Sequence, residues 1–248
     1  GRYQETMTPE TAQRLKEITV DVKSVTLPKA VSSNTEVPKP AVDLRPGTHN
    51  YKASIALGGQ SIPLTMKTDI KEENGAWTVS DTAQTPQGEI SDVSTIEKGS
   101  LLLKRRTIKQ GPVTIEMNVA GNQVTGSTTM NGQTTPLAVD SGGPLFADGA
   151  GAFDVIASLP LADGYSLSFR NFDVQKQKPQ IRQLKVAGTE SVTVPAGTFD
   201  AYKVEIVSAD NDADKQTVWI DKASRKVLKI SAVLPSLNGA ILTSELTP

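Results

Sequence analysis

Apolar and polar residues alternate along most of this chain from Asn50 onward, and a period of two restricts those stretches to β-strands. In NYKASIAL every second residue from Tyr51 to Leu57 is apolar, and in IPLTMKT the same holds from Ile62 to Met66. The glycine-containing GGQS separates the two stretches, so together they predict an antiparallel β-hairpin.

The same pattern recurs through the rest of the chain, with turn residues between the strand-like stretches. Gly121-Asn122 and Asn131-Gly132 stand where tight hairpin turns need positive φ angles. Strand-like stretches do not alternate with long helical ones, which excludes a parallel α/β fold. We therefore predict a mostly β protein, in which one strongly curved antiparallel sheet forms an open or half barrel.

The alternation is lost between Asp140 and Gly164. There, GAFDVIASLPLADG carries apolar residues at roughly helical spacing from Phe153 to Leu161, and Pro160 ends any helix. We predict a short helical segment that crosses between two groups of strands and fills the open side of the curved sheet.

The first part of the chain has a different character. Thr8-Pro9-Glu10 predicts the start of a short helix, because it combines a capping hydroxyl, a first-turn proline and an acidic residue. Four prolines then follow between residues 28 and 47. We divide the chain into a short helix and strand at 1–27, a candidate junction to a preceding region, a proline-rich tether at 28–47, and an antiparallel β domain at 48–248. The alternative for the tether is a strap lying across the main domain.

Composition narrows the class of partner. The 248 residues include 26 lysines and arginines and 27 acidic residues, so we expect no attraction to nucleic acid. No run approaches the roughly 18 apolar residues of a membrane-spanning helix. The chain begins at Gly1 rather than methionine, so we expect that a signal peptide or a preceding, covalently linked domain has been removed.

The sequence DSGGP, Asp140 to Pro144, matches the nucleophile motif of trypsin-like serine proteases. That chemistry needs a histidine as general base, in the chain order His, Asp, Ser. The only histidine, His49, lies between the proline-rich stretch and the first strand, and the residue before Asp140 is Val139. We predict that Ser141 is a turn residue and that the chain holds no catalytic residues.

Two other motifs have plain structural interpretations. DNDAD, from Asp210, resembles the start of a calcium loop, but it has no glycine at the sixth position and no glutamate at the twelfth. A solvated hairpin tip explains it better. The run Lys104-Arg105-Arg106 is typical of a solvated strand edge. We predict neither a metal site nor a cofactor.

The end of the chain resembles a known group of proteins. VTVPAGTFDAYKVEI, followed by TVWIDKASRKVLKISAVL, is similar to the carboxyl-terminal part of a family of uncharacterised exported β-rich bacterial proteins. More distantly, it resembles the half-barrels of the lipoprotein carriers (the LolA/LolB-like group). The resemblance covers about the last 60 residues and implies a location in the bacterial cell envelope, periplasmic or secreted.

We predict a non-enzymatic exported module that binds a lipid or another apolar or amphiphilic small molecule on the concave face of the sheet. The alternative is a structural or substrate-positioning C-terminal domain of a larger cell-envelope hydrolase or peptidase. The candidate ligand-binding residues, which would instead fill a closed core if the sheet were packed shut, are Trp77, Leu101, Leu103, Met117, Phe153, Phe169 and Trp219.

Overall fold

The computed structural model describes residues 35–248, apart from the side chains of Asp212 and Ser236. The helix predicted from Thr8 and the strand predicted after it lie outside the described residues. The chain from Gly47 first forms eight strands that follow one another in sequence: β1 Gly47–Leu57, β2 Gln60–Glu73, β3 Ala76–Thr85, β4 Gly88–Glu97, β5 Leu103–Gln110, β6 Val113–Ala120, β7 Gln123–Met130 and β8 Gln133–Asp140.

A short helix then leads to a second group of six strands. The helix, α1, spans Ala152–Ala157, and a single turn of 3-10 helix at Pro235–Leu237 precedes the last strand. The strands of this group are β9 Ser166–Asp173, β10 Lys178–Val194, β11 Gly197–Ser208, β12 Asn211–Asp221, β13 Val227–Leu234 and β14 Ala240–Leu246.

All fourteen strands belong to one antiparallel sheet. Its order runs from β8 back to β1, and then from β14 back to β9. Each group is therefore a simple meander, and the pairing of β1 with β14 joins them, with Tyr51 opposite Leu246. Strands β8 and β9 form the two edges, so the sheet is not closed into a barrel. The predicted fold class is confirmed.

The predicted turns form where the sequence places them. Gly121 and Asn122 connect β6 to β7, and Asn131 and Gly132 connect β7 to β8 with φ angles of 50° and 81°. Such angles suit asparagine and glycine, which explains why these short loops reverse the chain.

The segment between β8 and β9 crosses the open side of the curled sheet, as predicted. The backbone N–H of Leu103 donates to the carbonyl of Leu145 at 3.1 Å, and that of Phe146 donates to the carbonyl of Arg170 at 3.0 Å. This segment therefore bridges β5 in one group of strands and β9 in the other. Helix α1 is part of this segment, and its Val155 and Ile156 side chains are buried.

Two apolar clusters fill the interior. The larger one packs side chains of the crossing segment, among them Phe146 and Ile156, against Trp77, Leu101 and Phe169 of the strands and of the chain before β5. A smaller cluster joins the inner face of β5–β8 to the crossing segment and β9, through Leu103, Met117, Val119, Val124, Leu137, Leu145 and Phe172.

Residues 35–46, called the strap below, precede β1 and lie against the crossing segment. The backbone N–H groups of Ala41 and Val42 donate to the carbonyl of Ser158 at 2.8 and 3.2 Å. The Trp77 indole donates to Asp43 Oδ1 at 2.6 Å, and the side chain of Leu44 joins the larger apolar cluster. The remainder of the predicted tether, residues 28–34, lies outside the described residues.

Candidate functional site

A concave cleft lies between the crossing segment and strands β9–β12. Its volume is about 570 Å³. In the sheet, Arg182 stands opposite Phe169, and Ile206 stands opposite Gln216. Because paired residues of neighbouring strands point to the same side, this face presents both apolar and charged side chains to the cleft.

The apolar part of the cleft is made by both of its walls. Phe153 and Ile156 of α1 face Phe169 and Ile206 of the sheet. Of these four, only Phe153 is appreciably exposed, since each of the others has at most 2% of its surface exposed. Phe169 also packs edge-on against Phe146, with ring centroids 5.9 Å apart. These contacts give the cleft a firm apolar floor.

Three pairs of opposite charge form the polar part of the cleft. Arg106 Nη1 lies 2.8 Å from Asp148 Oδ1, and Lys176 Nζ lies 3.1 Å from Asp173 Oδ2. Arg182 Nη1 pairs with Asp214 Oδ2. The Arg182 and Asp148 side chains are 5% and 1% exposed, so these charges lie deep in the cleft.

Arg106 connects the cleft to the inner face of the first meander. Its Nε and Nη2 donate to Asp92, while its Nη1 donates to Asp148. Burial alone would lower the pKa of Arg106, but the two carboxylates outweigh burial and raise it. Burial raises the pKa of Asp148 to about 6, even though Arg106 and the backbone N–H of Phe172 oppose that shift.

Polar side chains on the sheet also hold the loop that leads into α1. Ala150 N donates to Ser94 Oγ at 3.0 Å, and Gly151 N donates to Asp81 Oδ2 at 2.9 Å. Gly149 has a φ of 84°, and a Cβ there would lie 2.5 Å from Ser94 Oγ, so a larger residue does not fit. Buried polar groups on the strands thus replace water as partners of an irregular backbone.

A second, smaller cavity of about 200 Å³ lies between the strap and α1. It is lined by His49 and Asp154, whose Nδ1 and Oδ1 atoms are 3.8 Å apart, too far for a hydrogen bond. Burial and the nearby Asp81 raise the pKa of Asp154 to about 7. Burial and Lys226 lower the pKa of His49. His49 is therefore largely uncharged near neutral pH, whereas the Asp154 carboxyl is close to the midpoint of its titration there.

The structure places the sequence-predicted site residues in several different surroundings. Phe153 and Phe169 line the cleft. Trp77 and Leu101 lie in the larger apolar cluster, and Leu103 and Met117 lie in the smaller one; none of these four is more than 3% exposed. The structure thus brings two of the seven predicted residues together at one site.

Trp219 does not face the cleft, contrary to its predicted inward orientation. It alternates along β12 with the fully buried Val218 and Ile220, so its ring lies on the other face of the sheet. There, its indole N–H donates to Glu190, and Lys203 and Lys229 approach the ring at 5.9 and 5.8 Å. The sequence prediction failed because both faces of β12 carry large apolar residues.

The prediction of a solvated strand edge at Lys104-Arg105-Arg106 is wrong about the edge, because β5 pairs with both β4 and β6, and the first two side chains alone are solvated as predicted. Lys104 and Arg105 are exposed, but Arg106 points inward and is paired with two carboxylates. Sequence reasoning also missed Arg182, although it lies on the same face of β10 as the buried Leu184 and Val186. A charged residue at a position that alternation assigns to the interior was the available signal.

Ser141 is a buried turn residue, as predicted. Its Oγ lies 2.8 Å from the carbonyl oxygens of both Asn122 and Gly143, and Asp140 Oδ1 accepts the N–H of Gly142. With 1% of its surface exposed, the side chain closes the turn after β8.

Two general features of the described residues bear on the class of site. Among residues 35–248 no helix is long and apolar enough to cross a membrane. Over the same part of the chain, no three histidine, aspartate or glutamate side chains are grouped so that they could hold a metal ion.

The fold and the cleft define a barrel-like class of antiparallel β protein. A domain described as a beta-barrel-like protein of DUF1849 from Brucella abortus aligns with a TM-score of 0.55 and 9% identity, covering 84% of this chain and 98% of that chain. The hypothetical lipoprotein YmcC from Escherichia coli aligns at 10% identity over 99% and 98% of the two chains, with a TM-score of 0.34. At 9% identity the likeness to the DUF1849 protein concerns the fold alone.

The chain belongs to the family described as "Protein of unknown function (DUF3108)", which matches residues 51–246. The search of curated proteins found no match. The match begins within β1 and ends with β14, so the expected membership of an uncharacterised β-rich family is confirmed. The likeness to the lipoprotein carriers stays a prediction.

Proposed function

We propose that this protein is a non-enzymatic binding module that holds an amphiphilic small molecule in the cleft between α1 and strands β9–β12. The observation that carries the proposal is the pairing of an apolar floor with buried charges in one cavity. Its volume, about 570 Å³, lies in the range typical of small-molecule sites. We also propose the bacterial cell envelope as its location, as the resemblance of the last strands implies.

An amphiphile suits this cleft better than a purely apolar ligand. An apolar molecule would cover Arg182 and Asp148 without offering them hydrogen bonds, and that desolvation would oppose binding. An amphiphile can place its tail against Phe153 and Ile156 and leave its head group beside the charged pairs. Each methylene of the tail that is buried contributes about 0.8 kcal/mol.

The proposal is tested with N-phenyl-1-naphthylamine, a dye whose fluorescence rises in apolar surroundings. We expect the dye to bind the protein and to be displaced by a lauroyl amphiphile. Phe153→Ala should weaken dye binding about five-fold or more, because this partly exposed ring forms one wall of the cleft.

The matched control is Leu242→Ala, which shortens a partly buried side chain that packs on the larger cluster away from the cleft. It should leave dye binding unchanged. Thermal melting of both variants separates lost binding from lost folding. If the dye does not bind the native protein and no lauroyl amphiphile changes its melting temperature, the proposed function is wrong.

A further inference from the structure

Arg182 is the most deeply placed cation of the cleft, and it has hydrogen-bonding capacity to spare. Its side chain is 5% exposed. Within residues 35–248 it donates one side-chain hydrogen bond, from Nη1 to Asp214. A guanidinium carries five N–H donors. None of its nitrogens is among the buried side-chain atoms of the described residues that lack a partner, so its remaining donors face accessible space in the cleft.

The charges that line the cleft cancel. Among its lining residues, Arg106, Lys176 and Arg182 carry three positive charges, and Asp148, Asp173 and Asp214 carry three negative ones. Arg106 also pairs with Asp92, which does not line the cleft. An added anion would lie beside these carboxylates, and an added cation would lie beside the cations. Neither ion meets an excess of opposite charge in the cleft, and each must lose hydrating water to enter it.

The other polar side chains that line the cleft are uncharged. Gln180 and Gln216 line the cleft beside Arg182 and Ile206. Amide side chains both donate and accept, which matches the hydroxyl, ester or amide groups of a polar head. They add hydrogen-bonding capacity without disturbing the charge balance.

We propose that the cleft selects amphiphiles without net charge, and that Arg182 donates hydrogen bonds to an oxygen acceptor of the head group. This inference rests on the proposed function and adds the class of ligand to it. The acceptor can belong to an uncharged glyceride or to the phosphate of a zwitterionic lysophospholipid, since both present an oxygen to the guanidinium and carry no net charge.

Four amphiphiles with the same lauroyl or dodecyl tail test the selectivity by displacing N-phenyl-1-naphthylamine at neutral pH, below their micelle-forming concentrations. They are monolauroyl glycerol, lauroyl lysophosphatidylcholine, laurate and dodecyltrimethylammonium. We expect one or both of the first two to displace the dye at concentrations about ten-fold lower than the two ions. Their order relative to each other identifies the source of the acceptor.

The role of Arg182 is tested with the double variant Arg182→Gln/Asp214→Asn, which removes both charges of the pair and leaves neither buried alone. We expect it to bind the dye normally but to bind the preferred lauroyl ligand about ten-fold more weakly. The double variant Lys222→Gln/Asp200→Asn removes an exposed pair elsewhere and should change neither. If the first variant does not fold, Arg182→Lys keeps the charge balance but offers fewer donors, so it should weaken binding of the preferred lauroyl ligand and leave dye binding unchanged.

The two proposals fail in different ways. If the native protein binds neither dye nor amphiphile, the proposed function falls, and this inference falls with it. If it binds amphiphiles but takes laurate or dodecyltrimethylammonium as tightly as monolauroyl glycerol and the lysophospholipid, only the selectivity is wrong. If ligand binding survives unchanged in the Arg182 variants, the assignment of Arg182 is wrong.

Discussion

Three aspartates in the interior of this protein have pKa values above the ordinary range of a carboxyl group. Burial raises the pKa of Asp81 to about 6 and that of Asp148 to about 6, and it raises that of Asp154 to about 7, with help from Asp81. Asp81 and Asp148 accept backbone N–H groups from Gly151 and Phe172. These hydrogen bonds make two of the buried carboxyls structural, whereas Asp154 faces the small cavity beside His49.

A pH dependence of stability follows from Asp154. Its folded-state pKa lies above that of the unfolded chain, so the folded state binds its proton more tightly. Its contribution to stability is therefore fully present below about pH 4 and is lost as the pH rises through about 7. Asp154→Asn should remove that loss and raise the free energy of unfolding at alkaline pH by an amount on the order of a few kcal/mol.

Urea denaturation across the pH range checks this prediction. The gain of Asp154→Asn over the native protein should shrink as the pH falls, because protonation of Asp154 then abolishes the difference. The groups that the structure places around Asp154, including His49, Asp81, Tyr51 and Lys226, are present in both proteins. Asp163→Asn, an exposed change, is the control. A gain that is equal at all pH values would contradict the assignment.

Among the elements, the strap and the crossing segment depend on each other. The strap contributes Leu44 to the larger cluster and bonds to Ser158 just after α1, while the crossing segment is itself held by inward polar groups of β3 and β4. The strap also covers the small cavity that contains His49 and Asp154.

The Trp77–Asp43 hydrogen bond should hold the strap in place. Asp43→Ala removes the acceptor at 2.6 Å, and we expect faster hydrogen exchange of the Ala41 and Val42 amides, which donate to Ser158. Exchange in the β6–β7 hairpin should not change. Asp163→Ala again serves as the control. Unchanged exchange at Ala41 and Val42 would show that the Trp77–Asp43 hydrogen bond does not hold the strap.

For the whole molecule, the two apolar clusters are physically linked. The crossing segment contributes Leu145 to the smaller cluster and Phe146 to the larger one, and the chain entering β5 contributes Leu103 and Leu101 in the same way. The pairing of β1 with β14 joins the first and last strands. We therefore expect residues 35–248 to unfold as one cooperative unit.

Met117→Ala tests this cooperativity. It removes a side chain with 0% exposure from the smaller cluster and should destabilise the protein by about 2–5 kcal/mol. In a Trp219→Phe background, Trp77 is the remaining tryptophan and reports on the larger cluster. Its fluorescence and the far-UV circular dichroism should shift together. Separate transitions would show that the clusters unfold independently.

The sequence by itself determined the local architecture. The period of two and residues such as Asn131 and Gly132 specify antiparallel hairpins, because both strands and their short turn lie within a few neighbouring residues. The loss of that period located the crossing segment around Phe153. Membership of an exported β-rich family was expected from the last strands, and the family itself is confirmed over residues 51–246.

Only the tertiary structure decided the rest. The pairing of β1 with β14 and the bridge from Leu103 through Leu145 and Phe146 to Arg170 join residues far apart in sequence, for which no local pattern exists. The charged part of the cleft has the same origin. Alternation can place Arg182 inside, but the curl of the sheet and the pairing of β10 with β11 and of β11 with β12 bring Asp214 to it. The partner of a buried charge is fixed by long-range packing, and long-range packing leaves no repeating pattern in the sequence from which it could be predicted.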